Sequence, residues 1–196
     1  FKKYENILKV IDSPAGKALE AQAEKDLGVK YLYHMSYGVG RDIQTTKKAL
    51  KTPDDIKGLK IRVLSTPIDL STFKAWGANP TPVDWTQTFA ALQQGVVDGE
   101  QINVSTIVGA KHYEVVKYNI RLDYQASFQT LFINAKKFAS LSPAHQKILL
   151  DAGAETKVWQ HKDAYERGLK SEQELTTKYG MQIYKPTAAE YAQWAS

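Results

Sequence analysis

Between Pro53 and Gly99, short apolar runs alternate with stretches of helical period, and that alternation restricts the chain to an α/β fold. Pro53, Asp54 and Gly58 mark turns, and the β-branched, apolar run from Leu59 to Leu64 predicts a buried strand interrupted by Arg62. Thr66 is a suitable N-cap, Pro67 suits the first helical position and Asp69 the first turn, so a helix is expected from about Pro67 to Trp76. Gly77 ends it, and Leu70 and Phe73 form its apolar stripe. The pattern then repeats. Pro80 and Pro82 predict an extended link, Asp84 or Thr86 a cap, and Trp85, Phe89 and Leu92 one helical face that Gly95 closes. Val96 and Val97 are expected to begin a short strand that Asp98 and Gly99 turn.

An arginine inside an apolar strand needs a reason. On residue chemistry alone the plain reading is an edge-strand side chain reaching solvent, because arginine is seldom buried without a partner. The alternative starts from Ser65 and Thr66, which fall at a strand-to-helix junction where free backbone N–H groups favour an anion.

Four ordered motifs carry a resemblance: D-x-K-G-L-K-x-R-V from Asp55 to Val63, G-A-x-P-x-P from Gly77 to Pro82, A-L-Q-x-G-V-V-D-G from Ala91 to Gly99, and K-x-Y-E-V-x-K-Y from Lys111 to Tyr118. Together they resemble the solute-binding proteins of tripartite ATP-independent periplasmic (TRAP) transporters. The resemblance continues through Phe132-Ile133-Asn134, the helix start from Leu141 to Gln146, and Tyr179-Gly180. Family members are longer, and Phe1 aligns inside their first domain, which implies an absent N-terminal portion and a short absent C-terminal piece.

The resemblance implies that Arg62 forms a bidentate salt bridge with a substrate carboxylate, for which a planar guanidinium fork is suited. It implies a basic pocket residue near Arg41, although the spacing to K-G-L-K needs a one-residue gap, and a polar ligand contact at Ser65, whose alternative is simply to flank the helix cap. Trp85 matches an aromatic position against the ligand body; packing on its own helix face is the other reading. An ungapped match puts Ile102 where many members carry a ligand-binding asparagine. Either Asn103 takes that role or that side of the pocket is more apolar, and Gln101 is a further candidate. Tyr124, Gln125 and Gln129 lie on a second extended passage, where alternation does not choose which faces a cleft.

With 196 residues, 43% hydrophobic and 24% charged, the chain has ordinary globular composition. No apolar run approaches the roughly 18 residues that span a bilayer. The absence of cysteine excludes disulfides, thiolate metal sites and cysteine nucleophiles. A net charge of +5 would suit nucleic acid if it were clustered, but acidic residues are interspersed among the basic ones and a solvated surface is the better reading. His34, His112, His145 and His161 are not spaced as a metal set, the G-x-G at Gly38 to Gly40 lacks a dinucleotide context, and no catalytic motif stands out.

Elsewhere, Ser13-Pro14 opens a helix to about Leu27 with Ala18, Ala21 and Leu27 among its buried candidates, and Val29 to Tyr37 reads as a strand. Gly38 to Gly40 reads as a flexible connection and Tyr124 to Ile133 as a second linking passage. A helix from Ser142-Pro143 to near Lys178 would be about 55 Å long unless Gly153 or Gly168 bends or divides it.

The resulting expectation is an α/β, periplasmic-binding-protein-like fold of two lobes with an interlobe cleft and a long lobe-spanning helix. Residues 1–39 and 127–167 would form an incomplete lobe I, and 40–126 and 168–196 lobe II with the carboxylate-binding arginine. The expected function is a periplasmic binding protein that captures an organic acid between the lobes, closes around it, and delivers it to TRAP membrane subunits. No enzyme activity, cofactor, metal or nucleic acid is expected. The rivals are a small α/β enzyme acting on an anionic substrate, which requires a nucleophile and base in one cleft, and a basic nucleic-acid module.

Overall fold

The structure is a computed structural model and describes residues 5–195. Its first elements are α1 (Glu5–Ile11), α2 (Pro14–Leu27), β1 (Val29–Ser36), β2 (Arg41–Thr45), α3 (Pro53–Ile56), β3 (Lys60–Val63), α4 (Pro67–Ala75), β4 (Asn79–Pro82) and α5 (Trp85–Gln93). There follow β5 (Gly99–Ile102), α6 (Val104–Gly109), a 3-10 turn (His112–Glu114), β6 (Tyr118–Gln125), β7 (Phe128–Asn134), α7 (Ala135–Ala139), α8 (Pro143–Thr177), β8 (Gln182–Tyr184) and α9 (Ala188–Trp194). The contacts divide the chain into two units, Phe1–Val39 with Ala126–Glu166 and Gly40–Gln125 with Arg167–Ser196.

In the first unit β1 and β7 pair antiparallel, flanked by α2 and the first part of α8. Ser13 caps α2 and Gly28 closes it in the left-handed region, as the residue pattern predicts. Ala18, Ala21 and Leu27 are exposed, contrary to expectation. The inward side of α2 is instead partly polar: Glu20 meets His34 Nε2 at 3.0 Å, and Glu24 accepts the Tyr31 N–H at 2.8 Å. Helix α8 runs unbroken through Gly153 and Gly168. Gly153 is required by close approach rather than by a bend, since a Cβ there would lie 2.8 Å from the Leu32 carbonyl oxygen.

The second unit holds a six-stranded mixed sheet in the order β4-β3-β5-β2-β6-β8. Strand β3 pairs parallel with β4 and β5, β2 pairs antiparallel with β5 and β6, and β8 joins β6 in parallel. Two expectations are corrected. The Pro80–Pro82 link is part of edge strand β4, where a missing N–H is tolerated. Val96 and Val97 precede the strand, which begins at Gly99; a Cβ at Gly99 would lie 2.3 Å from the Gln44 carbonyl oxygen, so this register needs glycine. The core gathers Ile43, Ile61, Val63, Ile120 and Leu122 from the sheet with Phe73, Trp76 and Trp194 from the helices. Phe73 is wholly buried, which contributes about 2–3 kcal/mol, and its ring meets that of Trp76 edge-on at 5.2 Å.

A register shift between Arg41 and Ile43 turns the fully buried Asp42 carboxylate toward β6, where it accepts the N–H groups of Leu122 and Asp123 at 2.9 Å each and Asn119 Nδ2 at 3.2 Å. Burial raises its pKa to about 7 and the Asp123 charge adds to this, while Arg121 and the donated hydrogen bonds oppose it. Arg121 also binds Asp123 and Glu172.

Candidate functional site

Strands β3, β4 and β5 lie side by side and parallel, and each leads directly into a helix: α4 capped by the Thr66 side chain, α5 with Asp84 at its N-cap position and α6 with Asn103 at its own. Three helix N-termini therefore follow neighbouring strand ends, an arrangement whose partial positive charges favour an anion. Arg62 sits near the end of β3, an internal strand rather than an edge, and is 2% exposed. The plain reading of a solvent-reaching side chain is therefore wrong. Its Nε donates to the Val83 carbonyl at 2.9 Å, and among the described residues no carboxylate lies within ion-pair distance of its guanidinium. Burial lowers its pKa, the Glu100 charge opposes this and Arg41 adds to it, so a nearby second cation is part of its environment.

Trp85 opens α5 and is 42% exposed. One partner is the Arg62 guanidinium, whose carbon lies 5.8 Å from the ring centre; another is the His112 ring, stacked at 4.8 Å and 21°. His112 is buried, and its Nδ1 lies 2.8 and 3.0 Å from the two oxygens of Glu100, which is wholly buried. A second cluster is built on Gln101. Its Oε1 accepts Arg41 NH1 at 2.9 Å and the Tyr124 hydroxyl at 2.8 Å, while its buried Nε2 has no partner. Burial strongly raises the Tyr124 pKa, against the lowering effect of Arg41, so its hydroxyl keeps the proton it donates.

The structure thus brings Arg62 together with Trp85, and Arg41 with Gln101 and Tyr124. Ser65 is exposed on the bend before α4, Asn103 is buried at the N-cap of α6 without a side-chain capping bond, and Ile102 is buried in β5. Gln129 belongs to the other unit, exposed on β7 opposite Met35. Glu100 and His112 were missed as site residues. For His112 the only signal was its place inside the K-x-Y-E-V motif, and for Glu100 there was none.

The chemistry available is recognition: a desolvated guanidinium with donors to spare, an orphaned amide donor and an aromatic face. Ser142 and His145, 3.1 Å apart, form an exposed pair at the start of α8 in the other unit, where the His145 N–H also donates to the serine hydroxyl as in a helix cap.

Comparisons agree with this chemistry. Residues 1–196 match the family described as bacterial extracellular solute-binding protein, family 7. The chain is 32% identical over 154 residues to the 2,3-diketo-L-gulonate-binding periplasmic protein YiaO of Escherichia coli, an alignment covering 79% of this chain and 46% of that one. Among solved structures, a TRAP periplasmic solute-binding protein from Desulfovibrio salexigens with bound orotic acid is similar at 28% identity and TM-score 0.87, covering 98% of this chain and 60% of that one. One from Sulfitobacter with bound β-D-galacturonate matches at 25% identity and TM-score 0.91, covering 99% and 64%. Such proteins have a two-lobed periplasmic-binding fold and are binding proteins rather than enzymes. The chain spans about half the length of the curated relatives it matches. Among the described residues no helix is long and apolar enough to cross a membrane. The chain belongs to family 7 of the bacterial extracellular solute-binding proteins.

Proposed function

We propose that the whole protein captures an organic-acid anion in the periplasm and delivers it to a TRAP-type membrane transporter, with Arg62 clamping the carboxylate. The observation that carries this reading is an arginine that is 2% exposed as a residue and whose guanidinium is engaged by one backbone carbonyl and by no carboxylate among the described residues. A cation removed from water in this way is costly unless an anion completes it, and a planar fork with free N–H donors suits a carboxylate. The ligands of the related proteins, 2,3-diketo-L-gulonate, β-D-galacturonate and orotic acid, are all carboxylic acids in agreement with it. Gln101 Nε2 is a second donor for the ligand, Trp85 packs against its body, and Arg41 and Tyr124 hold Gln101 in place. Ser65 and Asn103, in the same unit as Arg62, are further candidate contacts of the ligand. Native mass spectrometry of the whole protein purified from its own host tests the reading: a bound small carboxylic acid is expected, and a co-purified ligand lacking any acid group would contradict it.

A further inference from the structure

The second unit contains a cavity of about 260 Å³ that the anion site does not explain. Its lining includes Trp76, Tyr124, Tyr191 and Trp194 together with two residues that carry acceptors, Asp69 and Gln125. Asp69 is 3% exposed, and among the described residues no hydrogen bond or ion pair engages its carboxylate. Gln125 Oε1 is buried and likewise without a donor. The indole N–H groups give no help, since Trp76 donates to the Trp194 carbonyl at 2.9 Å and Trp194 to that of Lys51 at 3.1 Å.

Two unpaired acceptors cost free energy unless a donor arrives, and one of them is a carboxylate. The surrounding rings are locked edge-to-face, Trp76 with Trp194 at 5.1 Å and with Tyr124 at 5.3 Å. Aromatic walls with a buried carboxylate are the surroundings an organic cation prefers, whereas a second carboxylate would be repelled. We propose that this cavity is a subsite for an alkylammonium group, with Asp69 its counter-ion and Gln125 Oε1 a second acceptor. Asp69 is close enough to Arg62 for its charge to act on the guanidinium. The pair is thus complementary to a zwitterion whose carboxylate meets Arg62 and whose ammonium enters the cavity; that choice of source rests on the proposed function, while the subsite itself does not.

The test follows the indole N–H resonances of Trp76 and Trp194 by NMR in the whole protein at neutral pH. n-Butylammonium is expected to shift them saturably, with n-butanol, its neutral counterpart, at least tenfold weaker. Asp69→Asn should weaken n-butylammonium at least tenfold; if that variant does not fold, the comparison of the two probes on the natural protein decides alone. Equal responses to both probes would overturn the proposal by making the cavity merely apolar. No response to either would also overturn it, as when another segment of the whole protein fills the space. The source is read from ω-amino acids, from glycine to 5-aminovalerate, against the matching unaminated acids. A zwitterion site requires one of them to bind at least tenfold tighter than both its unaminated acid and n-butylammonium, with Arg62→Ala abolishing that gain. If n-butylammonium binds without such a gain, the subsite stands and serves a separate organic cation. If Arg62→Ala leaves carboxylate binding intact, the anion reading fails while the n-butylammonium result still decides the subsite.

Discussion

Glu100 lies beside Arg62 in register on the neighbouring parallel strand, yet its carboxylate is engaged by His112, at 2.8 and 3.0 Å, and not by the guanidinium. This division keeps an internal acid from satisfying the arginine, because a carboxylate held by a fixed imidazole is less able to swing toward another donor. Under the proposed function, this leaves Arg62 available for an external anion.

His112→Leu should therefore do two things. Leaving the Glu100 carboxylate without its buried donor should destabilise the fold by about 1–3 kcal/mol in urea titrations. The released acid should then compete for Arg62 and weaken carboxylate binding. Unchanged ligand affinity in a folded His112→Leu protein would show that Glu100 does not compete.

Trp85 is 42% exposed and contacts both Arg62 and His112, so its loss removes little core. Trp85→Ala is expected to cost about 1 kcal/mol of stability and about 2 kcal/mol of ligand affinity. Calorimetry and denaturation on the same preparation separate the two. A larger loss of stability than of affinity would make the ring a packing element only.

Asp42 sets an expected pH dependence. Its folded pKa of about 7 lies above the unfolded value near 4, so the native state binds the proton more tightly. Its contribution is therefore fullest below about pH 4 and is lost as pH rises toward 7, by at most about 1.4 kcal/mol per pH unit. Asp42→Asn keeps an oxygen for the Leu122 and Asp123 N–H groups and should flatten this slope. Urea denaturation from pH 4 to 8 reads it directly, and an identical slope in the variant would assign the effect elsewhere.

Local chemistry made much of the fold legible. Thr66, Pro67 and Asp69 start α4, Ser13 and Gly28 bound α2, and Pro143 opens α8, because caps and turn residues act within a few positions of themselves. What depends on distant neighbours was not legible. Two prolines hid strand β4, which is allowed only by its edge position. Val96 and Val97 have strand-forming side chains, yet the strand starts where Gly99 lets β5 approach Gln44. The exposure of Leu27 follows from the polar contacts that α2 makes through Glu20 and Glu24. Arg62 was visible as an anomaly, but its burial depends on flanking strands, and Glu100, His112 and Asp69 become its neighbours only through tertiary packing.

Titration calorimetry of the whole protein with its co-purified acid, comparing the natural protein with Arg62→Ala, decides whether Arg62 holds the carboxylate. An affinity loss of about 2–5 kcal/mol with unchanged secondary structure is expected, and only partial recovery in Arg62→Lys, which lacks the planar fork. Near-normal affinity in a folded Arg62→Ala protein would contradict it.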